Sequence, residues 1–474
     1  MKISRISKLL IILASIFLVL FVTAFFLREY ISNYYVKYHL DDAIPPGSGS
    51  RVLVFAPHND DEVLGAGILI NKVLRNNGQV KIVMVTNGDG YRNALAFDYF
   101  NLNPKPSDYI KFGYNRQQET LHALKSLGLK EDNLIFLGYP DGGISYLWNT
   151  YWDKTNPYTS VHTQTSTSPY SNSYTKNVPY TGENLVEDIT SIINDFKPTY
   201  IVYPHPNDRH PDHWAVNCFV KYALTLTGYS PDIEWLYLVH RGDWPTPMRE
   251  EKKMYLVPPA ALINIGTTWE ALAMTEEDIE GKAAAIRFYK TQLRTLKPLL
   301  TAFERKNELL GVYPNFKIPS GLHEDTEIAP DDSNLAIVDP LQDALRLKIS
   351  RSADISSVHA EISKSGNLHI FVQTDYNLDR KDIYHINMIF FSDHNTSRYD
   401  FELYNGKASL NHMSEQSVTD MDGITYEVKK NILHVVLPKA AAGNFDHLFI
   451  NSLSSTEEHL LDKTAWRMLD RKQN

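Results

Sequence analysis

The chain has almost no cysteine. One residue, Cys218, stands among 474, so no disulfide can form within the chain. It falls on the apolar side of a predicted helix, where a buried, unreactive thiol is expected. Scarce cysteine fits an extracellular protein made without disulfides and a cytosolic protein equally well. Excess positive charge is missing too: 47 Lys and Arg against 56 Asp and Glu give a net charge of −9. No basic block occurs beyond the extreme N-terminus, which argues against a nucleic-acid groove and predicts no nucleic-acid partner. With 43% apolar and 22% charged residues, the composition is that of a globular protein rather than a disordered one.

Leu9 to Leu27 forms a long apolar run free of charged residues, preceded by Lys2, Arg5 and Lys8. Its length suits a bilayer span, and the flanking cations predict a cytoplasmic N-terminus with the rest of the chain outside. Val22-Thr23-Ala24 resembles a signal-peptidase site, so secretion after cleavage is the alternative. The apolar run continues through Phe25, Phe26 and Leu27, which favours an uncleaved single-pass anchor in the cell membrane. Residues 1–30 are therefore expected to be a transmembrane signal anchor and 31–50 a linker, ending in Pro45-Pro46-Gly47-Ser48-Gly49-Ser50.

Beyond the linker, strand-like and helix-like segments alternate. Arg51–Phe55, Val80–Thr86, Leu134–Leu137, Thr199–Tyr203 and Ile233–His240 read as strands. Val63–Asn76, Arg116–Leu127, Glu183–Phe196, Trp214–Leu224 and one long segment, Glu276–Leu296, read as helices. The alternation predicts an α/β domain over 51–325, Rossmann-like, with a mostly parallel sheet and helices on both faces. Trp148 to Tyr180 lacks either periodicity and is expected to form a rim or lid, with a disordered segment as the alternative. From about Asp332 the pattern turns to short alternating runs, among them Leu345–Ile349, Val358–Ile362, Leu368–Thr374 and Leu448–Ser452. They predict an all-β sandwich over 332–474.

The chemistry is concentrated in two strand-end turns. The first is His58-Asn59-Asp60-Asp61-Glu62 and the second is His210-Pro211-Asp212-His213. Helix capping accounts for some of this charge, because Asp and Asn favour N-caps. Two such turns, each after an apolar run, point instead to one metal site. His58, Asp61 and His213 are the expected ligands of Zn2+ or another divalent metal. Asp60 is left beside the metal as a base for water, and His210 as an oxyanion stabiliser and proton donor. Asp212 is expected to orient His210 through a hydrogen bond. His205, Asp208 and His240 also lie at strand ends and read as structural polar groups. The reaction such a set performs is hydrolysis of an amide or ester.

The paired motifs, with Arg116-x-x-Glu119 and Tyr139-Pro140-Asp141-Gly142, resemble the PIG-L (LmbE-like) zinc-dependent N-deacetylases over about residues 50–300. The family usually has Pro where Asn59 stands, at a position that supplies no ligand. The resemblance implies removal of acetyl groups from N-acetylglucosamine-type sugars, with the same ligands, base and electrophilic histidine. It further implies that Arg116 and Asp141 contact substrate. Helix-surface pairing of Arg116 with Glu119, and a turn role for Asp141, are the structural alternatives. Residues Ala353–Asp393 resemble the carbohydrate-binding sandwiches of the family-9 and DOMON type, and a purely structural sandwich is the alternative. With the membrane anchor, these features lead to an N-acetylated cell-envelope or extracellular glycan as the expected substrate. A non-catalytic glycan-binding protein and an O-acetyl esterase are the rival readings; oligomeric state is not legible.

Overall fold

The computed structural model describes residues 5–242, 244–340, 351–392, 395–413, 418–419 and 423–471. The expected strand Leu345–Ile349 lies outside these residues. Helix α1, Arg5–His39, carries the apolar run, whose described side chains from Leu10 to Val22 are not covered by protein. By length and composition it is able to cross a membrane.

The helix does not give way to a linker at residue 31. No Gly or Pro occurs before Pro45 to stop it, and its last turns dock on the α/β layer. Ser32 Oγ accepts the Tyr255 N–H at 3.3 Å, and Glu29 lies 3.6 Å from Lys306 Nζ. Strand β1, Asp41–Asp42, follows at once and pairs with a strand of the main sheet.

The main sheet contains β1, β2 (Arg51–Ala56), β3 (Gln79–Thr86), β4 (Leu134–Tyr139) and β5 (Tyr200–Pro204). It is completed by β6 (Ile233–Tyr237), β7 (Thr268–Ala273) and β8 (Asn307–Val312). The spatial order is β1-β7-β8-β6-β5-β2-β3-β4. Neighbours from β6 to β4 are parallel, whereas β8 runs antiparallel to both β6 and β7. Val52 to Ala56 is buried throughout, because helices cover both faces of this central strand.

Those helices are α2 (Asp61–Arg75), α3 (Arg92–Tyr99), α4 (Pro106–Ser126), α5 (Ile144–Asn149), α6 (Gly182–Phe196) and α7 (Pro211–Thr227). The expected long helix Glu276–Leu296 is two helices, α8 (Glu276–Ile286) and α9 (Lys290–Thr301). The break turns Tyr289 inward, where its ring is fully buried and its hydroxyl meets Glu62. Strand order reverses at β2, with β3 on one side and β5 on the other. That makes the crevice beyond the carboxyl ends of β2 and β5 the expected ligand site of such a sheet.

The C-terminal part forms two mostly antiparallel sheets. One comprises β10 (Leu335–Val338), β11 (Ile355–Ile362), β12 (Leu368–Thr374), β17 (Thr425–Lys429) and β18 (Ile432–Leu437). The other is built around β13 (Ile383–Ser392), β14 (Asn395–Tyr404) and β19 (His447–Ser455). Beyond β19 it continues through β21 (Arg467–Arg471) to β9 (Phe316–Ile318) at one edge, and β20 (Leu460–Lys463) also pairs with β19. Ile386, Met388, Ile450 and Val435 lie in the core between the sheets. On the opposite face, Ile389, Phe391, Phe449, Trp466 and Met468 join the core of the α/β layer. The sandwich therefore presses one face onto α5 and α7.

Candidate metal centre

The turn after β2 places His58 to Glu62 at the start of α2. His58 Nδ1, Asp61 Oδ2 and His213 Nε2 converge: the separations are 3.2 Å, 3.0 Å and 3.2 Å around the triangle. Ligands at about 2.0–2.1 Å from a tetrahedral ion stand roughly 3.3 Å apart, so this set is of the right size. Asp61 Oδ1, the other oxygen of this carboxylate, is buried and accepts no hydrogen bond among the described residues, which leaves it open to a cation as well. The donor set, two imidazoles and a carboxylate, is one that zinc takes. His240 Nε2 lies 3.9 Å from Asp61 Oδ1 and joins the same cluster.

Hydrogen bonds outside the cluster aim each donor. Asp208 faces His213 Nδ1 at 3.1 Å and also accepts the Val239 and His240 N–H groups, each at 3.0 Å. The Nε2 of His58 faces Asp212 at 3.1 Å and Asp141 at 3.2 Å. Burial alone would disfavour charge on His58, but these carboxylates with Asp61 outweigh it and hold the imidazole well above its ordinary range. Burial likewise opposes a charged His213, and Asp208 with Asp61 raises it to about 9.

Asp60 sits differently. Its φ of 140° lies where non-glycine residues are strained, a feature that recurs at functional sites. The Glu62 carboxylate holds this backbone by accepting the Asp60 N–H at 3.1 Å, and Glu62 in turn accepts the Tyr289 hydroxyl. Burial and the charge of Asp61 raise the Asp60 carboxyl well above the usual range, while Arg116 opposes them. The adjacent Asp61 is held low, because His213 and His58 overcome the effect of burial.

Arg116 does not pair with Glu119, which instead binds Thr291. Its guanidinium donates to the carbonyls of Gly88 at 2.7 Å and Asn59 at 2.6 Å, and stands 3.8 Å from Asp60. A Cβ on Gly88, whose φ is +57°, would lie 1.7 Å from Arg116 Nη1, so only glycine admits the arginine here. Asp141 accepts the Gly90 N–H at 2.7 Å, besides its contact with His58.

The expected link from the Asp212 carboxylate to His210 is absent. That carboxylate accepts the N–H groups of Gly142 at 2.7 Å and Ile144 at 3.0 Å, and faces His58. It is the Asp212 backbone N–H that reaches His210, donating to Nδ1 at 3.2 Å as His210 caps α7. A neutral imidazole whose Nδ1 accepts carries its proton on Nε2. Burial, with the charges of His58 and His213, pushes His210 down to about 4, so the neutral form prevails at neutral pH.

His58, Asp60, Arg116, Asp141 and His210 line one cleft of about 330 Å³, with Asp61, Asp212 and His213 buried behind them. His240 lines the cleft as well, although its place at the end of an apolar run reads from sequence as structural. Tyr91, His162, Gln292 and Leu296 complete the wall. These last come from segments with no chemical motif, and nothing in their local sequence marks them.

A doubly wound α/β domain with a His/Asp cation site at its switch point is thus defined. Residues 53–224 form a domain of the PIG-L family, described as GlcNAc-PI de-N-acetylase. No curated protein sequence matches the chain. Similar solved structures include a deacetylase of teicoplanin biosynthesis, 18% identical, covering 55% of this chain and 97% of that one, TM-score 0.37. An N,N'-diacetylchitobiose deacetylase from Pyrococcus horikoshii is 18% identical over 53% of this chain and 75% of its own, TM-score 0.31. A conserved protein from Thermus thermophilus is 19% identical, with 53% and 84% coverage and TM-score 0.32.

Proposed function

We propose that the protein is a membrane-anchored, outward-facing, metal-dependent de-N-acetylase of N-acetylglucosamine-type residues in a cell-envelope or extracellular glycan. In this reading residues 1–30 form the anchor, 51–325 the catalytic domain and 332–474 the sandwich. The observation that carries it is the convergence of His58, Asp61 and His213 beside a raised Asp60 and a neutral His210 in one open cleft. His58, Asp61 and His213 would hold the metal, zinc by the chemistry of the donor set. A bound zinc supplies Lewis acidity, lowering the pKa of water and polarising the acetyl carbonyl.

The chain's own groups do the rest. Asp60 takes a proton from the attacking water; burial and the charge of Asp61 raise its carboxyl above the usual range, which strengthens it as a base. His210 donates its Nε2 proton as a hydrogen bond to the acetyl oxygen while negative charge collects there. Because His210 is neutral, that proton is held rather than transferred. Asp60 therefore passes its own proton to the departing sugar nitrogen. Asp141 and Arg116 line the same cleft beside His58 and Asp60, where they would meet sugar hydroxyls.

The test is acetate release by the full-length, zinc-loaded protein from matched N- and O-acetylated oligosaccharides. Release from N-acetylated substrates is expected, with Asp60→Asn lowering kcat by about 10²–10⁴ while zinc content is kept. Full activity in that variant, or release from O-acetyl groups alone, sinks the proposal.

A further inference from the structure

Helix α1 fixes which way the cleft faces. Glu29 lies beside Lys306, which immediately precedes β8, and the Lys306 carbonyl accepts the N–H of Met274, just after β7, at 2.8 Å. Because β8 runs antiparallel to β6 and β7, these residues mark the carboxyl ends of the parallel strands. Strand β1, which follows α1, pairs parallel with β7. Helix α1 therefore descends past the sheet from its carboxyl ends, and the apolar segment 10–22 projects beyond them. The metal-side cleft opens at that same end.

On the far side of the cleft, α3 follows the carboxyl end of β3 and is tied to α9 by the pair of Asp98 with Arg294. β8 and β3 stand roughly 19 Å apart across the sheet, with the metal-binding turns between them. Between α3 and α4 the chain turns a corner with apolar side chains outward: Phe97 is 62% exposed, Phe100 94% and Leu102 83%. Exposed apolar residues scattered singly are ordinary, but three within six positions make a patch. Phe100 closes α3 at φ 48°, in the left-handed region that favours glycine, and at its exposure no packing offsets that strain. The corner is nonetheless held, since Arg92 donates to the Leu102 carbonyl at 3.0 Å. Lys111, whose Nζ stands 5.3 Å over the Tyr99 ring, and the exposed Lys105 add cations beside the patch.

Apolar side chains edged by cations suit the headgroup layer of an anionic bilayer. We infer that the cleft opens onto the membrane surface and that the corner at 97–102 rests in phospholipid headgroups as a second foothold, across the cleft from α1. The inference rests on the anchored reading of α1 given above and adds the direction in which the cleft faces. Phe97, Phe100 and Leu102 enter the boundary between headgroups and acyl chains, and the cations beside them face lipid phosphates. The N-acetylated unit then enters from between the enzyme and the bilayer.

The experiment places the full-length protein in nanodiscs of phosphatidylcholine and phosphatidylglycerol, with a nitroxide quencher on some headgroups. A nitrobenzoxadiazole fluorophore is attached at Leu102→Cys, at Leu18→Cys within α1, or at Lys130→Cys, an exposed site before β4 at the amino ends of the strands; Cys218 is buried and stays unlabelled. Expected is quenching about threefold stronger at 102 than at 130, because interfacial side chains sit ~5–10 Å into the headgroup boundary. Phe97→Asp with Phe100→Asp abolishes that difference and leaves Tm unchanged, both side chains being exposed. Quenching at 102 no stronger than at 130, or unaffected by the double substitution, overturns the foothold. Absence of quenching at 18 sinks the anchored reading, and the contrast between 102 and 130 then decides the foothold by itself.

Discussion

Asp60 and Asp61 are chain neighbours with opposite electrostatic fates, one raised by burial and like charge, the other lowered by two imidazoles. That His58, Asp61 and His213 belong to one group was legible in the two turns, and the structure brings them together. What supports the group was not legible. Asp208 reads from the sequence as a structural polar group without naming its partners; its carboxylate joins His213 to the backbone of Val239 and His240. No local pattern announces partners that the fold brings from another strand. The same limit explains Asp212, whose side chain serves His58 and the Gly142 turn rather than its neighbour His210. Outer partners of metal-binding histidines typically contribute about 10–100-fold to affinity. Asp208→Ala is therefore expected to weaken zinc binding by about that factor, measured by competition with a fluorescent chelator. An unchanged affinity would mean that Asp208 does not orient His213.

Helix α2 was foreseen almost to its ends, but its interior was not. Ala66 has non-helical angles (φ −144°, ψ 16°), so α2 is two short helices end to end. Gly65 permits the break, because a Cβ there would lie 2.5 Å from the Tyr237 ring. Two distant side chains close the gap: Glu308 accepts the Ile68 and Leu69 N–H groups at 2.8 Å each, and Lys282 Nζ donates to the Leu64 carbonyl at 2.8 Å. They pair with each other at 2.7 Å, fully buried. Removing one partner of a buried pair typically costs about 3–5 kcal/mol. Glu308→Ala should lose that much in denaturant unfolding, and replacing both residues by Met should recover only the part due to the stranded charge, because the Ile68 and Leu69 N–H groups stay unpaired. A double variant as unstable as the single one would show that the charges are not the issue. The sequence hid this arrangement because its halves lie far apart along the chain. The split between α8 and α9 was hidden for another reason: helical periodicity continues across it, and only the burial of Tyr289 beside Glu62 breaks the helix.

At the scale of the molecule, both architectures were legible from the change in periodicity near Asp332, but the way they meet was not. Trp148 of α5 is enclosed by Phe219 and Tyr222 from the α/β layer and by Phe449 and Trp466 from the sandwich. Arg398 donates to its carbonyl at 2.5 Å and stacks 3.7 Å over Trp152. The sandwich thus buttresses the helix that follows the Asp141 turn, and this face is covered rather than open to a ligand. The Lys463 ammonium is buried at the same contact, 3.3 Å over the Trp214 ring, with no hydrogen-bond partner among the described residues. Burial pushes it down to about 7. Above pH 10.5 the group is neutral whether folded or unfolded. As pH falls the unfolded chain takes up the proton first, so stability is lost until the folded group charges near pH 7. Lys463→Met should therefore raise Tm most at pH 7 and below, by an amount worth on the order of 1–3 kcal/mol, with the gain fading toward pH 10. A gain independent of pH would rule out the lysine's charge as its source. The docking of α1 has a consequence of its own. An enzyme on a slack leash sweeps a volume of glycan, but here one helix runs from the apolar segment to the Ser32 contact, and β1 is pinned in the sheet. From Leu27 to Ser32 the rise is only about 7.5 Å. Under the anchored reading the cleft works at one fixed stand-off from the bilayer, so deacetylation would be laid down as a stratum whose depth the helix sets.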